Sequence, residues 1–336
     1  MPLIPGLKTE VRIMADTILE IQDLVVEYHT DDAVIHAVNK VNLMVRHGET
    51  VGLVGETGAG KTTIARSILR ILQMPPAKMC GGSILFKGKD LTMLSEQEMR
   101  KIRGDQIAMI FQDPMTALNP IEKVGFQIME AVRLHNKISR AEAERRACDM
   151  LEMVGIPMER YGEYPHQFSG GMKQRVVIAM ALVCNPELLL ADEPTTALDV
   201  TIQAQVLEMM QDLKEKLGTS VVMITHDLGV VADCCDSVAV IYAGDIVEYG
   251  TAEHVFDYTS HPYTKGLFGS LPMLDSTERR LKPIKGLMSD PTNLPVGCKF
   301  FDRCPDAVKD CEKEAPNAVE VAPGHFVKCA VMGVSD

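Results

Sequence analysis

The 336-residue sequence has no run of about 18 apolar residues, the length a helix needs to cross a bilayer. Its longest candidate, VVIAMALV from Val176, is less than half that long, so any attachment to a membrane is expected to run through partner subunits. The chain also lacks an excess of basic residues. Its 34 Lys and Arg against 46 Asp and Glu give a net charge of −12, which opposes the counterion release that drives nucleic-acid binding. A nucleic-acid partner is therefore not expected. The opening MPLIPGLKTEVRIMADT lacks the apolar core of a secretory signal, because Pro5, Lys8, Glu10 and Arg12 interrupt it. The protein is expected to stay inside the cell, and MADTILEI from Met14 resembles a natural beginning, so residues 1–13 stand apart. In such a chain the nine cysteines read as thiols or metal ligands rather than disulfides. A 46% hydrophobic composition is enough to fill a proper core.

What is present is ordered in a recognisable way. Residues Thr17 to Tyr28 alternate apolar and polar, Thr30 to Asp32 form a turn-like cluster, and Val34 to Val45 alternate again, the pattern of an antiparallel β layer. A short apolar strand, Thr50 to Val54, enters the Gly-rich segment GETGAGKTT, and a helical pattern follows from Thr62 to Leu72. Leu188 to Ala191 and Val221 to Ile224 are buried-strand candidates between helical stretches, which predicts a parallel sheet with crossover helices. Ile121 to Arg160 is strand-poor and rich in Glu, Arg, Met and Ala, suggesting a helical insert. After about His261 prolines become frequent (Pro262, Pro272, Pro283, Pro291, Pro295, Pro305, Pro316 and Pro323), and four cysteines appear, which reads as a separate loop-rich extension. The sequence contains one phosphate loop and no internal repeat, so one chain supplies one nucleotide cassette.

Gly55 to Thr62 satisfies G-x-x-x-x-G-K-T between a strand and a helix, the context that motif requires. Gly55, Gly58 and Gly60 let the backbone curl so that the N–H groups of Glu56, Thr57, Ala59 and their neighbours through Thr63 face phosphate at a helix N-terminus. Lys61 brings a cation to the β and γ phosphates, and Thr62 is a ligand for Mg2+. The run LLLADEP ends a buried strand in two acids, where a carboxylate without a task is costly. Asp192 is assigned to the Mg2+ shell and Glu193 to the water that attacks the γ phosphate of ATP.

FSGGMKQR, Phe168 to Arg175, resembles the signature loop of ABC ATPases, usually written LSGGQ, with Phe168 for Leu and Met172 for Gln. Ser169, Gly170 and Gly171 remain, and in that family they reach the ATP held by the opposite subunit. Other positions match in order. Gln112 in FQDP resembles the Q-loop glutamine, which contacts Mg2+ or the attacking water; Asp199 in ALD resembles the D-loop; His226 in ITHD resembles the switch histidine; and Tyr28 stands where the family places an aromatic under adenine. Without that role Tyr28 is a core or edge tyrosine. The resemblance implies an α/β P-loop NTPase cassette of RecA-like type over residues 17–260, after a tail of residues 1–16. The cassette carries an antiparallel β subdomain and a helical subdomain at about 115–178. It implies ATP hydrolysis in a dimer that closes on two nucleotides and reopens after cleavage.

The stretch from residue 261 to 336 resembles the C-terminal extension of oligopeptide and dipeptide importer ATPases. Cys298, Cys304, Cys311 and Cys329 are separated by five, six and seventeen residues, unlike the C-x-x-C pairs of structural zinc. Four thiolates on Pro-rich loops need a cross-link to order them. In relatives the ligand is a [4Fe-4S] cluster, while zinc and unligated thiols stay open. Cys80, Cys148, Cys184, Cys234 and Cys235 are expected to be ordinary buried thiols. The resemblance further implies a paralogous ATP-binding subunit or a second copy, two transmembrane permease subunits, an extracytoplasmic solute-binding protein met indirectly, and a place on the cytoplasmic face of the membrane. Two alternatives share these motifs: the same role in a nickel or oligosaccharide importer, or a non-transport ABC ATPase acting in DNA repair or translation.

Overall fold

The structure, a computed structural model, describes residues 16–331 apart from Ala197 and residues 271–283. The expected N-terminal tail before Asp16, the start at Met14, and the prolines Pro272 and Pro283 lie outside the described residues. The strands are β1 (Thr17–His29), β2 (Val34–Arg46), β3 (Thr50–Val54), β4 (Ala77–Phe86), β5 (Lys89–Asp90), β6 (Ile107–Ile110), β7 (Leu188–Asp192), β8 (Ser220–Thr225), β9 (Ser237–Tyr242), β10 (Asp245–Thr251), β11 (Val319–Ala322) and β12 (His325–Val327). The chain forms two compact units, one made of the residues up to Leu19, Met44–Thr50 and Phe86–Ile224, the other of Glu20–Leu43, Val51–Leu85 and the residues from Thr225 onward. Among the described residues no helix is long and apolar enough to cross a membrane.

In the first unit β6, β7 and β8 lie side by side and parallel, with Ile107 opposite Leu188 and Leu188 opposite Ser220. Every residue of β7 and β8 is buried, which is why these strands read as unbroken apolar runs rather than alternating ones. The expected helical insert is present as helices Val124–His135 and Arg140–Met153 and a 3-10 turn at Met158–Gly162. Ser139 caps the second helix by accepting from the Glu142 N–H, and Ala143, Ala147, Met150 and Leu151 form its buried stripe at helical spacing. Helices Gly170–Leu182 and Val200–Leu217 complete this unit's main elements, the latter stopped by Gly218 in the left-handed conformation (φ 67°).

The second unit contains a mixed sheet in the order β11-β12-β10-β9-β3. β3 runs parallel to β9, and the remaining neighbours are antiparallel. Most of β1, β2 and β4 also belongs here, in the order β2-β1-β4. The residues after His261 are less loop-like than their prolines suggest: they form helix Pro262–Gly269 and extend the sheet with β11 and β12. Tyr242, Tyr263 and Phe300 are almost fully buried and meet at ring-centroid separations of 4.7 to 5.4 Å, an arrangement that adds edge-to-face attraction to apolar burial.

A buried polar knot ties the same region together. The Glu248 carboxylate accepts from the Ser260 and His261 N–H groups and meets His325 Nε2 at 2.8 Å. His261 is 1% exposed, its Nδ1 accepts from the Tyr263 N–H at 3.0 Å, and burial pushes its pKa from 6.5 down to about 4. The imidazole is thus neutral when folded but takes a proton in the unfolded chain below about pH 6.5. Its contribution to stability is complete above that pH and is lost as the pH falls from about 6.5 to 4, by up to about 3.4 kcal/mol. Thermal unfolding across this window should show the loss, and His261→Asn, which keeps an acceptor for Tyr263, should flatten that part of the profile; an unchanged profile would assign it to other groups.

Candidate nucleotide-binding and catalytic site

β3 is buried along its whole length and delivers the chain into the loop at Gly55, and helix Lys61–Ile68 begins directly after Gly60. Two glycines are required by close approaches. A Cβ on Gly55 would lie 2.2 Å from the Ile241 carbonyl oxygen, and one on Gly60, whose φ is 105°, would lie 2.4 Å from that of Ala37. The Lys61 side chain is 7% exposed and its ammonium donates to the carbonyls of Gly55 (2.7 Å) and Glu56 (3.0 Å), so it curls back over its own loop. Thr57 and Gly58 are exposed, Ala59 is buried, and Thr62 and Thr63 are partly buried at the helix start. The Tyr28 hydroxyl lies 3.2 Å from the Thr63 hydroxyl, which brings the predicted adenine-side aromatic to the same helix.

The first unit carries the predicted acids. Asp192 ends β7 at 2% exposure, paired in register with Ile224. The chain then turns sharply: Glu193 adopts φ 49°, a left-handed conformation that costs a side-chain-bearing residue about 1–2 kcal/mol, and its N–H donates to the Ile224 carbonyl at 2.8 Å. This geometry turns the Glu193 carboxylate to where Gln112 Nε2 (2.8 Å) and the Thr196 hydroxyl (2.9 Å) both donate to Oε2. Gln112 follows the end of β6 and is exposed. The structure therefore unites Gln112 with Glu193, 81 residues apart, and adds Thr196, which the sequence reading did not single out.

Ser169 caps helix Gly170–Leu182 by accepting from the Met172 N–H at 3.4 Å and is exposed with Gly170. The two departures in this loop have a structural explanation. Phe168 is 5% exposed beneath the Arg160 guanidinium, 4.4 Å from its ring, and the same guanidinium contacts Met172 Sδ at 3.1 Å. Asp199 is exposed before helix Val200–Leu217, and His226 is exposed just after β8.

Sequence reading missed the support beneath the phosphate loop. Arg303 forms a two-pronged ion pair with Glu56, both contacts at 3.0 Å, while its Nε donates to the Lys285 carbonyl at 3.0 Å. Its side chain is 7% exposed. The Glu56 N–H donates to the Tyr263 hydroxyl at 3.0 Å, so residues from the tail hold both the backbone and the carboxylate of the loop's second position. No local signal in the sequence points to a partner 247 residues away.

Arg303 is followed by one of the four tail cysteines. Cys298 and Cys304 are half-buried and Cys311 and Cys329 buried, and the Cys298 N–H donates to the Cys311 carbonyl at 2.7 Å. Burial and the neighbouring thiols push Cys298 up, and burial chiefly pushes Cys304 up to about 11. Crowding four thiols this way suits a positively charged centre that stabilises the thiolates. Lys299, Arg303 and Lys328 adjoin three of the cysteines in sequence; Arg303 pairs with Glu56, and Lys299 and Lys328 with Asp245. Four cysteine sulfurs are a donor set that both an iron–sulfur group and zinc take. One expectation about the other cysteines fails: Cys80 is exposed on β4, and Cys148, Cys184 and Cys234 are only partly buried, leaving Cys235 as the buried thiol of that set.

Residues 38–196 match the ABC transporter family and residues 247–311 match the oligopeptide/dipeptide transporter C-terminal region. The chain is 51% identical over 319 residues to the oligopeptide transport ATP-binding protein OppD of Bacillus subtilis, covering 94% of this chain and 89% of that one. It is 50% identical to the dipeptide transport ATP-binding protein DppD of the same organism, covering 94% of each chain, and 50% identical to a probable peptide ABC transporter ATP-binding protein, y4tR, of Sinorhizobium fredii over 94% and 95%. Among solved structures, the ATP-binding cassette MJ0796, in a dimeric post-hydrolysis state with ADP and Pi, aligns at a TM-score of 0.63 and 28% identity, covering 70% of this chain and 98% of that one. CbiO1 of Clostridium perfringens, part of the transporter complex CbiONQ, aligns at 0.63 and 29% identity, with 72% and 91% covered. With the phosphate loop, the acid-ended β7, the SGG helix cap and the cysteine-bearing tail in one chain, the protein belongs to the ATP-binding subunits of ABC transporters, in the oligopeptide/dipeptide branch.

Proposed function

We propose that this ATPase powers the import of di- or oligopeptides by binding Mg2+ and ATP and hydrolysing the γ phosphate. The observation that carries the reading is a likeness to OppD and DppD at about half of the aligned residues, over alignments that cover 94% of this chain. In this reading the backbone of Gly55, Glu56, Thr57, Gly58, Ala59 and Gly60 receives the phosphates, and Lys61 exchanges its carbonyl partners for phosphate oxygens. Thr63 belongs to the same cradle, and Tyr28 stacks on adenine. Thr62, Asp192 and Gln112 offer hydroxyl, carboxylate and amide oxygens, the hard donors that Mg2+ takes; when bound, the ion neutralises charge on the phosphates. Glu193 orients and deprotonates the attacking water, while Gln112 and Thr196 fix its carboxylate. His226 donates to the γ phosphate as charge develops. Ser169, Gly170, Gly171 and Asp199 serve the site of an opposing cassette, a paralogous subunit or a second copy; the dimeric state of the similar cassette MJ0796 supports that arrangement.

The cassette of residues 17–260, with its helical part at about 115–178, then works on the cytoplasmic face of the membrane against two permease subunits, fed indirectly by a solute-binding protein. Nickel or oligosaccharide cargo would leave every one of these residue roles unchanged, and the similarity to OppD and DppD favours peptides. Residues 261–336 brace the phosphate loop through Arg303 and Tyr263, and Cys298, Cys304, Cys311 and Cys329 hold a [4Fe-4S] cluster.

In the assembled transporter, Glu193→Gln should retain Mg2+-dependent ATP binding while hydrolysis falls on the order of a hundredfold or more; undiminished phosphate release would remove Glu193 from its role. Arg303 neutralises a carboxylate that otherwise repels phosphate, so Arg303→Ala should weaken ATP binding on the order of threefold to tenfold. Adding Glu56→Gln should restore most of it, and calorimetry showing equal affinities for wild type and the single variant would refute the brace. Protein purified without oxygen should be brown, with an iron–sulfur absorbance band and about four irons per chain; colourless protein with stoichiometric zinc would overturn the cluster.

A further inference from the structure

Glu27 and His29 lie two residues apart near the end of β1, so their side chains leave the strand on the same face, opposite Tyr28. On the neighbouring strand β4 stands the exposed Cys80, and on β2, along the other edge of β1, stands His36. All three neighbours converge on the Glu27 carboxylate. Oε2 lies 2.8 Å from His29 Nε2 and accepts from the Cys80 thiol at 3.3 Å, while Oε1 lies 3.1 Å from His36 Nδ1. One ligand atom each from Glu27, His29 and Cys80 falls within 4.8 Å of the other two. The cluster touches neither the phosphate loop nor the tail cysteines, and the nucleotide mechanism makes no use of it.

We propose that Glu27, His29 and Cys80 form a binding site for a borderline-soft divalent metal ion, Zn2+ by its ligand chemistry, with His36 as the outer residue that orients Glu27. Imidazole nitrogen, thiolate sulfur and carboxylate oxygen are the three ligand types that zinc takes from proteins, and three of them leave one position open. That open position meets solvent, since His29 is 44% exposed. The spacing needs little adjustment. Bond lengths of about 2.0–2.3 Å place neighbouring ligand atoms of a tetrahedral zinc roughly 3.3–3.7 Å apart, so the observed 2.8 and 3.3 Å contacts to Oε2 open by about half an ångström as the ion replaces the shared protons. Charge also balances, because one carboxylate and one thiolate meet a doubly charged ion. His36, on the far oxygen of the carboxylate, plays the part that outer hydrogen-bonding partners play around metal ligands.

The test uses the full-length chain with its tail cysteines in whatever state purification leaves them. Wild type, Cys80→Ser and His29→Ala are equilibrated with Zn2+ against a weak chelator, and zinc and iron per chain are then counted by mass spectrometry. Cys80 and His29 are both exposed, so neither substitution disturbs the core. The expected result is one zinc equivalent present in wild type and lost in each variant, with iron content and any further zinc unchanged. A wild-type titration with Co2+ should add a thiolate-to-cobalt charge-transfer band that Cys80→Ser removes. Equal zinc in all three proteins, or a cobalt band that survives Cys80→Ser, would overturn the site.

Discussion

A lysine ammonium buried to 7% exposure must be surrounded by oxygen, and Lys61 meets that demand with the Gly55 and Glu56 carbonyls of its own loop. The loop has to double back for this to happen, which requires a backbone that a Cβ at Gly55 or Gly60 would block against the carbonyls of Ile241 and Ala37. Both of these acceptors are neutral carbonyls of the loop itself. Tyr263, packed in the aromatic core, and Arg303 both hold Glu56 of this loop. They convert a short Gly-rich segment, flexible on its own, into a fixed cradle.

How much of this could be read beforehand depended on how local each signal was. The phosphate loop, Asp192 and Glu193, and the signature loop at Ser169 are legible because their residues are neighbours and their flanking elements are strongly patterned; β3 and β7 are short, nearly continuous apolar runs, the mark of strands buried on both faces. The pairing of Gln112 with Glu193 was implied only through the family resemblance, since nothing in FQDP alone specifies its partner. The left-handed turn at Glu193 is invisible in sequence, because glutamate there violates the usual preference for glycine and is held by the Ile224 carbonyl instead. Arg303 and Tyr263 are similarly hidden: an arginine between an aspartate and a cysteine in a Pro-rich stretch looks like surface. β11 and β12 went unread because they are short and β11 is half-exposed along its length, so hydrophobic patterning has little to act on.

The strand carrying Tyr28 is used on both of its faces. One face of β1 supports the nucleotide side through Tyr28 and Thr63, and the alternate face gathers Glu27, His29, His36 and Cys80. Period-two alternation lets a single strand end present an aromatic in one direction and a cluster of metal-binding groups in the other without any insertion.

The pairing of β12 with β10 has a further implication for the architecture. β10 would otherwise bound its unit's sheet with a row of backbone groups open to pairing, the usual starting point for association between chains. Here β12, between Cys311 and Cys329, covers that row, with the Lys328 N–H reaching the Val247 carbonyl as well. β12 thus works as a sealing strip. Shortening the chain to a minimal cassette would expose β10 and favour a sticky, self-associating particle over a smaller enzyme.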